Sequence, residues 1–211
     1  MLHLVRHGET ALNAARVLQP ADTPLSAQGR AQAEALARRI AAWPGDEGDR
    51  PIAGVLASDL PRALATAEPI ARACGVPLET SVLLHERNFG DLRGRRYDDL
   101  GFDPLTQADA PSGGESLAAF LARCGAAWAA LQALQARLGG PLVVVTHGLV
   151  LRGWLAGVPL RLPVGMAAPS AWHNTGLSSL GDDTGHALRR VNCTAHLHGT
   201  LAADVRSLSG G

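Results

Sequence analysis

The stretch Leu2-His-Leu-Val-Arg-His-Gly-Glu-Thr10 decides the fold. A short apolar run at the start of the chain stops on an arginine, a histidine and a glycine. A run of that length reads as a buried parallel strand. In open α/β sheets, ligands bind just beyond the carboxyl ends of the strands. Arg6, His7 and Gly8 therefore fall at a ligand-binding edge. Gly8 lets the backbone turn tightly and approach a ligand. The His7 side chain titrates near neutrality, so it can serve as nucleophile or base with little tuning. Arg6 offers a planar fork of donors suited to phosphate oxygens. Alone, an Arg-His-Gly at a strand end is ordinary surface chemistry. A second apolar run, Leu142-Val-Val-Val-Thr-His-Gly148, changes that reading because it too ends in His-Gly. Two strands that each deliver His-Gly point to two imidazoles converging on one site.

Outward from these strands, the chain alternates strand and helix signals. Leu2–Val5 is the first strand, and Thr10–Gln19 is a loop or short helix carrying Asn13 and Arg16. Ser26 reads as the N-cap of a helix in which Leu36, Ile40 and Trp43 recur at helical spacing. The segment 44–51 is rich in Gly, Asp and Pro and reads as a solvated connection. Ala53–Ala57 is a second strand. Pro61 suits the first turn of the helix after it, and Pro69 is expected to kink or divide that helix. Pro77–Leu83 reads as a third strand leading to Glu86. Gly90–Glu115 is irregular, and a loop of that length is usually functional or mobile. Leu117–Leu138 is the longest helix, with Phe120, Cys124, Trp128, Leu131 and Leu138 on one face. Leu142–Thr146 is the fourth strand and Gly148–Ala156 a helix. Leu177–Leu180 and Ala187–Cys193 form an antiparallel hairpin, and the tail from Leu201 frays. The pattern predicts an α/β fold: a three-layer α/β/α sandwich with a mainly parallel central sheet.

Composition sets further bounds. The 211 residues, 46% of them hydrophobic, suit one domain over residues 1–211. A net charge of zero argues against a nucleic-acid binder or a membrane-surface protein. All 19 basic residues are arginine. A Schiff-base lysine and a P-loop lysine are thereby excluded. Any phosphate site must be built from arginine, histidine and backbone donors. Cys74, Cys124 and Cys193 form no CxxC pair, so neither a zinc site nor a redox motif is expected. Cys74 and Cys124 read as small core residues. No signal-like stretch precedes Arg6, and no apolar run approaches the roughly 20 residues of a membrane span. A cytoplasmic protein with reduced thiols is the expectation. A homodimer is compatible with this reading.

The resemblance to a known family rests on blocks in order along nearly the whole chain. They are Arg6-His7-Gly8-Glu9-Thr10 with Asn13; Asp22-Thr23-Pro24-Leu25-Ser26 with Gly29; and Ser58-Asp59-Leu60 with Arg62-Ala63 and Thr66-Ala67. Leu84-His85-Glu86-Arg87-Asn88-Phe89-Gly90, Gly113-Gly114-Glu115-Ser116, and Val145-Thr146-His147-Gly148 with Arg152 follow. Asn174 and Asn192–Leu197 close the set. The chain resembles the histidine phosphatase superfamily, the phosphoglycerate mutase-like enzymes.

The resemblance implies a set of roles. His7 is the nucleophile, its other ring nitrogen held as a donor to a backbone carbonyl. Arg6 and Arg62 are cations for the phosphoryl oxygens, and His147 is the third positive or donating group. Asn13 adds a neutral donor, and Gly8 and its neighbours add backbone N–H groups. Gln19 and Gly148 complete the phosphate- and substrate-binding set. Glu86 is the general acid and then the base for water, which requires a raised pKa. Glu9 is expected to support the site as partner of an arginine. Glu115 and Ser116 are read as structural. No cofactor and no metal are expected; His196 and His198 lack carboxylate partners. Two departures stand out. Gln19-Pro20 replaces the family's Gln-Gly or Ser-Gly, removing a backbone donor. Arg93-Gly94 replaces the common Glu-Gly, giving a basic rim with Arg95 and Arg96. That rim either favours an anionic substrate or is a solvated charge run. Phe89, Tyr97 and Phe102 either stack on a ring or pack.

The implied activity is phosphomonoester hydrolysis through a phosphohistidine on a small phosphorylated metabolite. The alternative is a cofactor-dependent phosphoglycerate mutase. Mutases of the family carry a longer insert after the acid and an extended tail, both short here. A non-catalytic phosphate-binding protein would have lost His7, Glu86 or His147, and all are present.

Overall fold

Strand β1, Leu2–Arg6, is buried along its whole length and pairs in parallel with β4, Leu142–Thr146. The structure, a computed structural model, describes residues 1–43, 51–103, 105–158, 160–181 and 186–199. The expected solvated connection at 44–51 lies outside these residues except for Pro51. So do most of the hairpin turn and the tail. Strands β2 (Gly54–Ala57), β3 (Leu78–Thr80), β5 (Leu177–Leu180) and β6 (Leu188–Cys193) complete one six-stranded sheet of order β3-β2-β4-β1-β5-β6. The four strands β3, β2, β4 and β1 are mutually parallel, while β5 pairs antiparallel with β1 and β6 antiparallel with β5. The sheet is thus mixed, with its parallel part carrying both His-Gly ends.

Alternation along β4 explains the layers. Leu142 and Val144 face one core with Leu4, Leu56, Trp128, Leu131 and Trp154. Val143 and Val145 face the other core with Val5, Leu36, Ile40, Ala63 and Ile70. The first core lies under α4 (Leu117–Leu138) and α5 (Gly148–Gly157); the second lies under α2 (Ala27–Ala41) and α3 (Pro61–Cys74). Near-continuous Val and Leu runs buried on both faces are what a central parallel strand requires. A short helix, α1 (Ala11–Ala14), stands beside β1, closed by a capping box between Thr10 and Asn13.

Several boundaries differ from the expectations. Helix α2 starts on Ser26, whose hydroxyl accepts from Gly29 N–H at 2.9 Å, but ends before Trp43. Helix α3 runs unbroken through Pro69. The proline forfeits one backbone bond, and the buried face of Ala63, Ala67, Ile70 and Ala71 holds the helix together regardless. Strand β3 is only three residues long. Ser81 then caps a 3-10 turn at Val82–Leu84 by accepting from Leu83 N–H, which swings the chain towards Glu86. Helix α4 is, by length and composition alone, apolar enough to cross a membrane, contrary to the expectation from the sequence. Arg123 and Arg137 are its only charges and alanine fills much of the rest. Phe120, Cys124, Ala127, Trp128, Leu131 and Leu134 are its buried residues, as in the core helix of a globular protein.

Candidate active site

The register of β1 and β4 sets the two imidazoles side by side. Arg6 pairs with Thr146, so the next residue on each strand, His7 and His147, leaves the sheet at the same level. Their ring centroids lie 5.1 Å apart. Both rings are buried. His7 Nδ1 lies 2.7 Å from the Gly8 carbonyl oxygen. A carbonyl only accepts, so Nδ1 carries the proton and Nε2 keeps a free lone pair. Burial, then the Arg6 and Arg62 charges, hold the His7 pKa well below its ordinary value of 6.5. The ring is therefore neutral at pH 7, as a nucleophile must be.

Two guanidinium groups flank it, each only 2% exposed. Arg6 Nη1 donates to the Trp172 carbonyl at 2.6 Å. Arg62, in the first turn of α3, donates to the Pro20 and Ala21 carbonyls at 3.3 and 3.4 Å. Burial lowers its pKa to about 10, so it stays charged. Its Nε is buried without a hydrogen bond among the described residues. Pro20 thus contributes a carbonyl that orients Arg62.

Glu86 reaches the site on the turn after β3. Its Oε1 accepts from Arg87 N–H at 3.0 Å and its Oε2 from Leu149 N–H at 3.3 Å, in the first turn of α5. These donors and the arginines favour the anion, yet burial outweighs them and the pKa is raised above 4.5. The site thus sets a carboxyl of raised pKa near a neutral imidazole.

Arg6, His7, Arg62 and Glu86 line one cavity of about 510 Å³, its mouth included, whereas His147 lies behind His7 and is not among its walls. Its walls include Arg6, His7, Asn13, Gln19, Arg62 and Glu86, as expected, and also Arg16, Arg87 and Tyr97. Asn13 Oδ1 accepts from Thr10 N–H at 3.1 Å, and Gln19 Oε1 accepts from the Thr10 hydroxyl at 2.9 Å. Both amides keep their NH2 groups free of partners among the described residues. Arg16 and Arg87 were not foreseen as wall residues, while Tyr97, expected either to stack on a ring or to pack, lies on the wall. The irregular segment 90–115 gave no local pattern that would lay Tyr97 against Arg16, whose carbonyl accepts from Tyr97 N–H at 3.0 Å.

Other expectations need correcting. Gly8 is not a phosphate donor: its N–H goes to the Thr66 hydroxyl at 2.9 Å. The neighbouring N–H groups of His7 and Glu9 go to the Thr146 carbonyl and the Gln32 side chain. What Gly8 permits is close approach to α2, because a Cβ there would stand 2.6 Å from the Gly29 carbonyl oxygen. Gly148 is buried as the first residue of α5, and the cavity wall there is Leu149. Burial and the Arg62 charge hold the His147 pKa well below 6.5, so it is a neutral donor, not a cation. Its Nε2 meets the Ser58 hydroxyl at 3.0 Å, and its buried Nδ1 has no partner among the described residues. Glu9 accepts from the Ser26 hydroxyl at 2.7 Å instead of from an arginine. His85 pairs with Asp59. Glu115 binds Arg123 at 2.8 Å and Ser116 caps α4, both structural as expected. Phe89 is core, with Arg87 over its ring at 5.4 Å.

Asn174 supports His7 from behind, its Nδ2 donating to the His7 carbonyl at 2.8 Å. The Thr175 hydroxyl donates to the Asn174 carbonyl at 2.7 Å, so it accepts from His196 Nε2–H at 2.9 Å. His196 Nδ1 then accepts from Arg39 at 3.4 Å. His196 is a neutral structural histidine, its pKa lowered to about 4 chiefly by burial. Among the described residues, no group of three His, Cys, Asp or Glu could hold a metal ion.

The chain is similar to known proteins in sequence and in fold. The model of the histidine phosphatase superfamily, branch 1, matches residues 2–194, and the chain belongs to that superfamily. It is 38% identical over 162 residues to phosphoglycerate mutase-like protein 4 of Arabidopsis thaliana, covering 71% of this chain and 66% of the plant protein. It is 35% identical over 172 residues to the probable phosphoglycerate mutase GpmB of Salmonella typhi, covering 77% of this chain and 75% of that one. Among solved structures, a mycobacterial glucosyl-3-phosphoglycerate phosphatase aligns with TM-score 0.69 and 28% identity, over 91% of this chain and 97% of its own. A phosphoserine phosphatase from Entamoeba histolytica aligns with TM-score 0.69 and 25% identity, over 93% and 98%.

Proposed function

We propose that the protein is a phosphomonoester hydrolase that works through a phosphohistidine on His7. The observation that carries this is the Nδ1–H bond to the Gly8 carbonyl, which leaves Nε2 bare in a cavity walled by Arg6 and Arg62. Nε2 attacks phosphorus, and the bond from phosphorus to the ester oxygen breaks. Glu86 gives its proton to the leaving alkoxide. The Glu86 carboxylate then takes a proton from water as that water attacks phosphorus. The P–N bond breaks, releasing phosphate and restoring neutral His7 and protonated Glu86. Arg6 and Arg62 balance the equatorial oxygens, and Asn13 and Gln19 offer neutral donors. If the Ser58 hydroxyl donates to His147 Nε2, Nδ1–H is left to serve the phosphoryl group.

The substrate class is a small phosphorylated metabolite. The solved neighbours named as phosphatases support hydrolysis. The arginines supply the counter-charge that a divalent ion would otherwise bring, so activity is expected to persist in EDTA. The curated relatives named as phosphoglycerate mutases favour a second reading, in which the phosphoryl group returns to a bound acid. Mutase chemistry needs water kept from His7. Phosphate release measured beside 2- to 3-phosphoglycerate interconversion, with 2,3-bisphosphoglycerate present, separates the two. Release outrunning interconversion is expected; the reverse favours the mutase.

A further inference from the structure

The closing block Asn192–Leu197 has no part in the steps above. The fold nonetheless ties it to the two residues at the end of β1. The tie is the turn 171–176, which leads into β5. From this turn the Trp172 carbonyl accepts from Arg6 Nη1 at 2.6 Å, and Asn174 Nδ2 donates to the His7 carbonyl at 2.8 Å. Thr175 N–H is shared between the Arg6 and His7 carbonyls at 3.0 and 3.3 Å. Gly8 N–H goes to the Thr66 hydroxyl, so the peptide between His7 and Gly8 is held at both its oxygen and its nitrogen. That peptide aims the Gly8 carbonyl, and the Gly8 carbonyl decides which nitrogen of His7 carries the proton.

The turn is strained. Thr175 is buried with φ +55°, a conformation that a β-branched residue seldom adopts unless its surroundings impose it. Two side chains of the closing block impose it. His196 Nε2–H donates to the Thr175 hydroxyl at 2.9 Å. Asn192 spans the turn: its Oδ1 accepts from His173 N–H and its Nδ2 donates to the Ala171 carbonyl, each at 2.8 Å. The amide packs so closely that a Cβ on Gly176 would stand 2.3 Å from Asn192 Oδ1. Strand β6 carries one extra residue between the pairs Leu177–Cys193 and Ser179–Arg190, and Asn192 lies in that bulge with φ +51°. A bulge re-aims a side chain that a regular ladder would point elsewhere. Here it aims the Asn192 amide at the turn.

We propose that Asn192 and His196 are positioning residues: by clamping the turn 171–176 they hold Arg6 in place and keep the His7 proton on Nδ1. Their bearing on turnover rests on the phosphatase reading, whereas their bearing on the His7 tautomer does not.

Nitrogen NMR of protein labelled in its histidine rings tests this, with the His7 signals assigned by their loss in His7→Gln. In the unmodified protein His7 is expected to be protonated at Nδ1 alone. Asn192→Gly keeps a residue that tolerates positive φ and removes only the amide. His196→Leu removes the donor to Thr175. Both variants should retain the amide signals of the sheet, yet populate the Nε2-protonated form of His7. Their kcat on p-nitrophenyl phosphate should fall about tenfold or more, as misplacement of reacting groups does. His196→Gln offers an amide N–H in place of Nε2–H and should restore most of both. Should Asn192→Gly fail to fold, Asn192→Asp keeps the acceptor for His173 N–H, loses the donor to Ala171, and should shift the tautomer in the same direction. Variants that are less stable, but whose folded form keeps the His7 tautomer and kcat of the unmodified protein, would overturn the proposal. A tautomer that shifts in the variants while the unmodified protein hydrolyses no ester would keep the positioning role and sink the phosphatase reading.

Discussion

The proposed first half-reaction needs a neutral His7 and a protonated Glu86, and the site displaces both pKa values in the required directions. His7 must have lost its proton, and its pKa lies well below 6.5. Glu86 must have kept its proton, and its pKa lies above 4.5. The kcat/KM profile should therefore fall on the acid side through the His7 pKa and on the alkaline side through the Glu86 pKa. Glu86→Gln should erase the alkaline limb. It should also slow alkyl phosphates by about a hundredfold or more, the usual worth of a positioned acid, while p-nitrophenyl phosphate, which leaves without a proton, suffers far less. Equal losses on both ester types would remove Glu86 as the acid. That His7, Arg6, Arg62 and Glu86 meet at one cavity was legible in the sequence, because their residue types fall at strand or helix ends and in the family's blocks. The destinations of backbone N–H groups were not. Only the fold shows Gly8 N–H spent on Thr66, or Pro20 turning its carbonyl to Arg62.

Among elements, the contact between the end of β1 and the start of α2 fixes the loop that follows His7. Gly8 and Gly29 meet backbone to backbone: a Cβ on Gly29 would stand 2.0 Å from the Glu9 carbonyl oxygen. Gly29→Ala must push α2 away from the loop that follows His7. It should cost about 2 kcal/mol or more in urea unfolding, as overpacking does, and reduce kcat as well. An unaltered midpoint and rate would show that the contact is slack. Element positions were readable where burial is two-sided, as in β1 and β4, or where a cap residue marks an end, as at Ser26. They were unreadable where local sequence and tertiary packing disagree. Pro69 reads as a break, but the packed face of α3 carries the helix past it. Pro77–Leu83 reads as a strand, but the Ser81 cap ends it early.

At the scale of the molecule, His7, His147 and His196 among the described residues are buried with their pKa values lowered. Each has a folded pKa below the 6.5 of an unfolded chain. The unfolded state therefore gains protons first as pH falls. Stability contributed by these residues is full above 6.5 and lost as pH drops towards their folded values. His196 alone, with a folded pKa of about 4, loses at most about 3 kcal/mol between pH 6.5 and 4. Glu86, with its raised pKa, works in the opposite direction but is one group against three. Chemical denaturation at pH 7.5 and 5 should show lower stability at the acid value, and His196→Gln should shrink the difference. A difference unchanged by that substitution would place the acid sensitivity elsewhere.

The account stands or falls on covalent chemistry at His7. The most direct measurement is rapid mixing with a substrate labelled in its phosphoryl group, a quench that avoids acid, and peptide mapping of the trapped protein. Label on the peptide containing His7, stable in base, labile in acid and absent from His7→Ala, is the predicted result. Label that persists in His7→Ala, or that maps to another residue, would contradict the account.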